Sequence, residues 1–347
     1  MVAYRWPSAP TDKVRTPRRC ISPGPAPWCR AWPRSLRKAP RMRRRRRRLA
    51  RPPLLRLFPL NPLRLGSFTM PNSAMASQAV RPVRTIAVCS GKGGVGKTSV
   101  SINLSVALAR AQKQVMLLDA DLAMANADLL MGVAPKGNLS HVLSGEKSLQ
   151  DIICDTPSGV KLVPASSGVT RLANLTPSEN AGLIHAFSEL SDPLDVLVID
   201  VAAGIAESVV MFSRAAQEVV VVVLDEPASL TDAYALIKVL SREQRVSRFN
   251  VLCNQVPNSV RGESVFKKLQ GVCDRFLDVH LTHLGNIPAD DYLRRAVQMQ
   301  RPVLEAFPSA RSSRAFRDIA NRLMKQRPVD QPWGGVEFFL ERLVGGG

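Results

Sequence analysis

Eight residues, Gly91-Lys92-Gly93-Gly94-Val95-Gly96-Lys97-Thr98, stand between an apolar run of strand character and a segment of helical period, and this placement constrains the chain more than any other feature. Glycines at that spacing let successive backbone N–H groups wrap around phosphate oxygens. The helix that opens there adds the positive end of its dipole, Lys97 brings a cation to the terminal phosphates, and the Thr98 hydroxyl is offered to Mg²⁺. The stretch from Gly91 through Ser99 is therefore the expected nucleotide-binding loop, a P-loop set at a strand-to-helix junction.

The surrounding pattern agrees. From Val83 onward short β-branched apolar runs alternate with longer segments of helical period, which predicts a parallel sheet wrapped by helices. Strands are expected at 85–90, 114–119, 194–200, 218–224 and 248–254, with weaker candidates at 160–163 and 279–284. Within them 115–118, 196–199 and 219–224 are continuously apolar, as central strands buried on both faces must be. Helices are expected at 98–111, 178–190, 229–242 and 263–276. The fold class that follows is α/β, a doubly wound, mainly parallel P-loop NTPase domain over residues 83–327, with no internal repeat.

Composition separates the first fifth of the chain from the rest. Up to Met70 there are 19 Lys or Arg against the single acid Asp12, so this stretch holds +18 of the formal net charge of +20. It also has 12 of the 26 prolines and the arginine run 43–48. Such a sequence builds no core, and residues 1–69 are expected to be a disordered basic extension. Three readings fit it: a transit peptide, an arm that binds phosphate backbones without sequence preference, or upstream sequence preceding a true start at Met70 or Met75. The last is favoured, because no fold or site argument needs a residue before Val83. The remaining chain carries only +2, which argues against specific DNA binding by the core.

Cys20, Cys29, Cys89, Cys154, Cys253 and Cys273 show no C-x-x-C pairing and read as free thiols of a reducing compartment. No stretch approaches the roughly 18 apolar residues that a membrane span requires. The expected location is cytoplasmic, with any membrane contact peripheral.

Acidic residues at strand ends complete the site. Asp119 and Asp121 close the second expected strand and Asp200 closes the third, and the carboxyl ends of parallel strands line the ligand crevice. Asp200 holds the position of a Mg²⁺-binding acid. The segment 200–205 reads as a switch, with small residues and a hinge at Gly204. For each aspartate taken alone, a helix N-cap is the competing reading.

Lys92 adds a second lysine inside the loop, and the form K-G-G-x-G-K-T resembles the deviant Walker A motif of the MinD/ParA/nitrogenase iron protein class. What that resemblance implies is an ATP-dependent homodimer in which Lys92 reaches the phosphates held by the partner subunit. It also implies that Asp121 orients or activates the attacking water and that Asp119 sits beside the Mg²⁺ shell. Lys92, Lys97 and Asp121 are thus the expected catalytic set, and Thr98, Asp119 and Asp200 the expected metal set. Base contacts are expected from Asn254 and from Pro288 and Asp290 of an I-P-x-D element. At Val201 the class usually has a hydroxyl residue.

Longer phrases narrow the resemblance. The segments 117–122, 225–238, 305–308 and 335–343 closely resemble the FleN/FlhG family of MinD-like ATPases, which regulate flagellar number, over about residues 85–344. That family commonly has glycine where this chain has Ala123. The implied role is a negative regulator that binds and restrains a flagellar transcription activator of the AAA+ class, with a functional link to the polar flagellar GTPase FlhF. Two other readings share the nucleotide residues: a MinD-type ATPase that places the division site, and a nucleotide-gated binding module with negligible turnover. At the carboxyl end Val336, Phe339, Leu340 and Leu343 fall at i, i+3, i+4 and i+7, predicting a short amphipathic helix over 334–344. Its polar face bears Glu337, Glu341 and Arg342, so two docking modes stay open: weak membrane contact at the inner face of the cell pole, or packing against its own domain.

Overall fold

A computed structural model of the chain describes residues 83–122, 125–165, 176–190, 193–326 and 338–339. The basic extension 1–69 and Ala123 lie outside the described residues. Ala74–Gly347 forms one compact unit.

Its centre is an eight-stranded sheet among the described residues: β1 (Arg84–Ser90), β2 (Val115–Ala120), β3 (Cys154–Asp155), β4 (Val160–Val163), β5 (Val196–Ala203), β6 (Glu218–Val223), β7 (Arg248–Val256) and β8 (His280–Pro288). The spatial order is β3-β4-β2-β5-β1-β6-β7-β8. Every pairing is parallel except that of β3 with β4. All seven expected strands are present, and the edge strand β3, two residues long, was too short to leave a periodic signal.

The helices named below are α1 (Lys97–Arg110), α2 (Ala127–Met131), α3 (Leu139–Leu143), α4 (Leu149–Ile152), α5 (Pro177–Ser188), α6 (Glu207–Ala215), α7 (Pro227–Gln244), α8 (Ser259–Phe276), α9 (Asp291–Gln298), α10 (Val303–Ala306) and α11 (Arg311–Lys325). Helix α7 starts two residues before the expected span because Pro227, lacking an N–H, fits the first helical position. Helix α8 starts four earlier because the Asn258 side chain accepts a hydrogen bond from the Arg261 N–H.

On one face of the sheet Ile86, Val88, Leu117, Val198 and Val222 share an apolar cluster with α1 and α11. The intervening residues Ala87, Cys89, Leu118, Ile199 and Val221 are equally buried, so both faces are covered, as the continuous apolar runs require. In α11, Phe316, Ile319, Ala320 and Leu323 recur at helical spacing and are buried, each large side chain contributing about 1.5–3 kcal/mol relative to exposure.

The carboxyl end departs from expectation. Phe338 and Phe339 form a turn, and Phe339 has φ +57, which no continuous α-helix over 334–344 accommodates. Both rings are buried. Phe338 meets Phe187 of α5 edge-on at 5.2 Å and stacks on Phe212 of α6 at 6.4 Å, while its N–H donates to the Ala215 carbonyl. Burying two rings on the domain outweighs one regular helical turn here. The rest of that segment lies outside the described residues.

Candidate nucleotide site

The parallel register brings the carboxyl ends of β1, β2 and β5 together. Asp119 of β2 pairs directly with Asp200 of β5, and Val88 of β1 pairs with Asp200 on its other side. The loop after β1 then turns over this acidic pair. Gly94 and Gly96 have φ of +77 and +84, the left-handed region that glycine enters without strain, and α1 opens at Lys97. At Gly91 the requirement is closeness: a Cβ there would stand 2.2 Å from the backbone of Asp232 in α7.

A cleft of about 900 Å³ opens beside the loop, a volume suited to a nucleotide. Lys92, Gly93, Gly94, Gly96, Lys97, Thr98, Ser99, Asp121, Asn254, Pro288 and Asp290 line it, so the structure brings most of the expected site residues to one cleft, whereas Gly91, Val95, Asp119 and Asp200 stand behind its lining. Val95 is the buried hinge behind that lining, its carbonyl accepting a 2.7 Å hydrogen bond from Asn254 Nδ2.

Lys97 is buried, and its Nζ lies 2.9 Å from Asp200 Oδ1, which also accepts a 2.8 Å hydrogen bond from Ser101 Oγ. Ser101 was not singled out in the sequence, although it stands one turn beyond Lys97 on the same face of α1 and was detectable by that spacing. Asp200 Oδ2 is buried without a hydrogen-bond partner among the described residues. An unpaired carboxylate oxygen is costly to bury, and a hydrated divalent cation is the partner that its chemistry suits. The oxygen chemistry of Asp200 and Thr98 therefore suits Mg²⁺, which these two residues would hold.

Asp119 stands on the strand rung beside Asp200 and is held by backbone amides. Its Oδ1 accepts from the Asp121 N–H at 3.1 Å, and its Oδ2 accepts from the N–H groups of Asn126 and Ala127, each at 3.1 Å. The carboxylate thus caps α2 from a distance and fastens the loop that carries Asp121. Burial first, and then the Asp200 charge beside it, push Asp119 up to about 7 against the pull of the three amides.

Val201 is fully buried in the core, while Ala202 and Ala203 line the cleft. The residue without the hydroxyl is thus enclosed by the protein and does not line the cleft. Gly204 turns the chain with φ +99, and its N–H donates to the Ser90 carbonyl at 2.9 Å, tying this segment to the end of β1.

Asn254, expected to contact the base, uses its amide within the protein: Nδ2 donates to the Val95 carbonyl and Oδ1 accepts from the Gln255 N–H at 2.9 Å. Asp290 caps α9 through the Tyr292 N–H and accepts from the Ser312 N–H and Oγ of α11. Burial raises its carboxyl, but these hydrogen bonds outweigh that and hold it below the usual carboxylate range. Both residues line the cleft while also bracing its walls. Gln255 and Arg294 line it too, and nothing in the sequence pattern marked them.

The family model of ParA, described as NUBPL iron-transfer P-loop NTPase, matches residues 82–324. The antiactivator FleN of Pseudomonas aeruginosa is 53% identical over 266 residues, covering 77% of this chain and 95% of that protein. The flagellum site-determining protein YlxH of Helicobacter pylori is 32% identical, covering 75% of this chain and 89% of that protein. Among solved structures, the septum site-determining protein MinD of Pyrococcus horikoshii, complexed with Mg-ADP, is similar with a TM-score of 0.60 at 28% identity, covering 70% of this chain and 97% of that chain.

Proposed function

The chain belongs to the ParA family of P-loop NTPases, and we propose that it is an ATP-gated, dimerising switch that limits the number of flagella. It is an ATPase whose nucleotide is ATP with Mg²⁺. The observation that supports the reading is the second loop lysine, Lys92, which lines the cleft with its side chain 42% exposed.

In this account the amides of Gly93, Gly94 and Gly96 cradle the phosphates, Lys97 leaves Asp200 for the terminal phosphate oxygens, and Thr98 and Asp200 would hold the cation. Mg²⁺, when bound, neutralises charge on the phosphates during transfer. Asp121 orients the attacking water, and Asp119 keeps the Asp121 loop in place. Asn254, Pro288 and Asp290 border the base. Lys92 supplies the cation that a phosphate cluster between two subunits requires from the opposite side.

The flagellar assignment rests on the relatives. The Pseudomonas protein is an antiactivator, and 95% of its length is covered here. Carried to this chain, the ATP-bound dimer binds and restrains a flagellar transcription activator of the AAA+ class, in functional concert with the GTPase FlhF. Membrane contact, if the tail makes it, requires Phe338 and Phe339 to leave their seat against α5 and α6. Among the described residues no helix is long and apolar enough to cross a membrane. Iron transfer, named in the family model's description, is not carried over, because the described cysteines form no donor group with other ligating side chains.

Deleting the gene and counting flagella and minicells tests the reading. Extra flagella with normal division, rescued by the gene carrying Lys97 and not by Lys97→Ala, are expected. Minicells with unchanged flagella would move the chain to the division-site class.

A further inference from the structure

The phrase 225–234, which sets this chain apart within its class, forms the start of α7 and lies directly under the phosphate loop. Several of its polar residues have a definite task. Asp225 pairs with Arg261 of α8, Ser229 Oγ accepts from the Leu224 N–H at 2.9 Å, and Thr231 Oγ donates to the Pro227 carbonyl at 2.9 Å. The backbone of Asp232 is the shelf against which Gly91 rests without room for a Cβ. Glu226 remains, and its Oε2 lies 3.0 Å from Nζ of Lys92.

We infer that Glu226 is the positioning residue of Lys92. It holds the ammonium at the rim of the cleft in the single subunit, and it must be exchanged for phosphate when two subunits close over ATP. This rests on the dimerising reading of Lys92 given above. The closeness of Gly91 to α7 fixes the loop backbone on the helix that bears Glu226, so the carboxylate travels with the loop. Asp225, one residue away, is occupied by Arg261. Both Lys92 and Glu226 are about half exposed, at 42% and 51%, so the pair is weak enough to be broken by a ligand. It nevertheless sets a threshold, and because a twofold dimer breaks two such pairs, their effects combine in one association constant.

Glu226→Gln keeps the shape and removes the competing charge. The full chain with a non-hydrolysable ATP analogue and Mg²⁺, followed by sedimentation velocity across protein concentration, is expected to dimerise at about two- to tenfold lower concentration in this variant. Association that appears only with the nucleotide analogue and stops at the dimer separates this gain from the aggregation of a misfolded variant. Asp225→Asn, an equal change of charge beside the same loop, is the comparison and is expected to leave the midpoint in place. An unchanged or raised midpoint for Glu226→Gln overturns the proposal alone. An equal shift in Asp225→Asn also overturns it, since general repulsion then accounts for the gain. Failure of the unaltered chain to dimerise at any concentration overturns both the dimerising reading and the proposal.

Discussion

Asp119 and Asp200 sit side by side on adjacent parallel strands; the Lys97 ammonium stands on Asp200, whose Oδ2 has no hydrogen-bond partner among the described residues, while Asp119 is held by the loop that carries Asp121. Two buried carboxylates at one rung repel each other, and the fold tolerates this because Lys97 stands on Asp200 and three amides point at Asp119.

A dependence of stability on pH follows. The folded-state pKa of Asp119 is raised from 3.8 to about 7, so the folded protein holds this proton more tightly than the unfolded chain does. The stability gained in this way is complete below the unfolded value and is lost as pH rises through about 7. In nucleotide-free protein the melting temperature is expected to fall between pH 5.5 and pH 8. In Asp119→Asn that part of the slope disappears, and parallel melting curves of the two proteins across this range check it.

Removing the cation has two consequences. Lys97→Ala leaves Asp200 buried with Ser101 as its remaining donor, which is expected to cost about 3 kcal/mol in chemical denaturation. The same variant loses nucleotide binding, measured with a fluorescent ATP analogue, because no other lysine is buried at the loop.

Gly91 tests the seat of the loop. A Cβ there meets the backbone carbonyl of Asp232 at 2.2 Å, and no flexible side chain is available to move aside. Gly91→Ala is expected to destabilise the protein by about 1–3 kcal/mol and to weaken ATP binding, whereas Gly93→Ala, with open space around its Cβ position, leaves stability unchanged.

The thiols divide by environment. Burial pushes Cys89, Cys253 and Cys273 each up to about 12, so at pH 8 they are protonated and shielded. Cys154, partly exposed on the edge strand β3, is expected to be alkylated well before these three in native protein, and mass mapping after a short iodoacetamide pulse reads the order.

Much of this was legible in the sequence because it depends on local pattern. The runs that became β1, β2, β5, β6 and β7 are apolar and β-branched, and the loop between β1 and α1 carries its chemistry in residue type alone. What was not legible depends on orientation across strands. Nothing in the residues D-A-D says that the first carboxylate turns toward the amides of Asn126 and Ala127 while the second lines the cleft. Nor does a helical spacing of apolar residues reveal that Phe338 and Phe339 form a turn whose rings pack on Phe187 and Phe212, since that choice is made by tertiary burial. Glu226 and Lys92 are far apart in sequence, and only the sheet order that places β1 beside β6 brings them together.

The central claim is that ATP, held by this site, joins two copies of the chain. The most direct measurement is the molar mass of the full chain by light scattering with Mg-ATP and with Mg-ADP, for the unaltered protein and for Asp121→Ala. The account predicts monomer with ADP, dimer with ATP, and a persistent dimer in Asp121→Ala, where hydrolysis falls at least about a hundredfold. A monomer throughout, with ATP demonstrably bound, would contradict it.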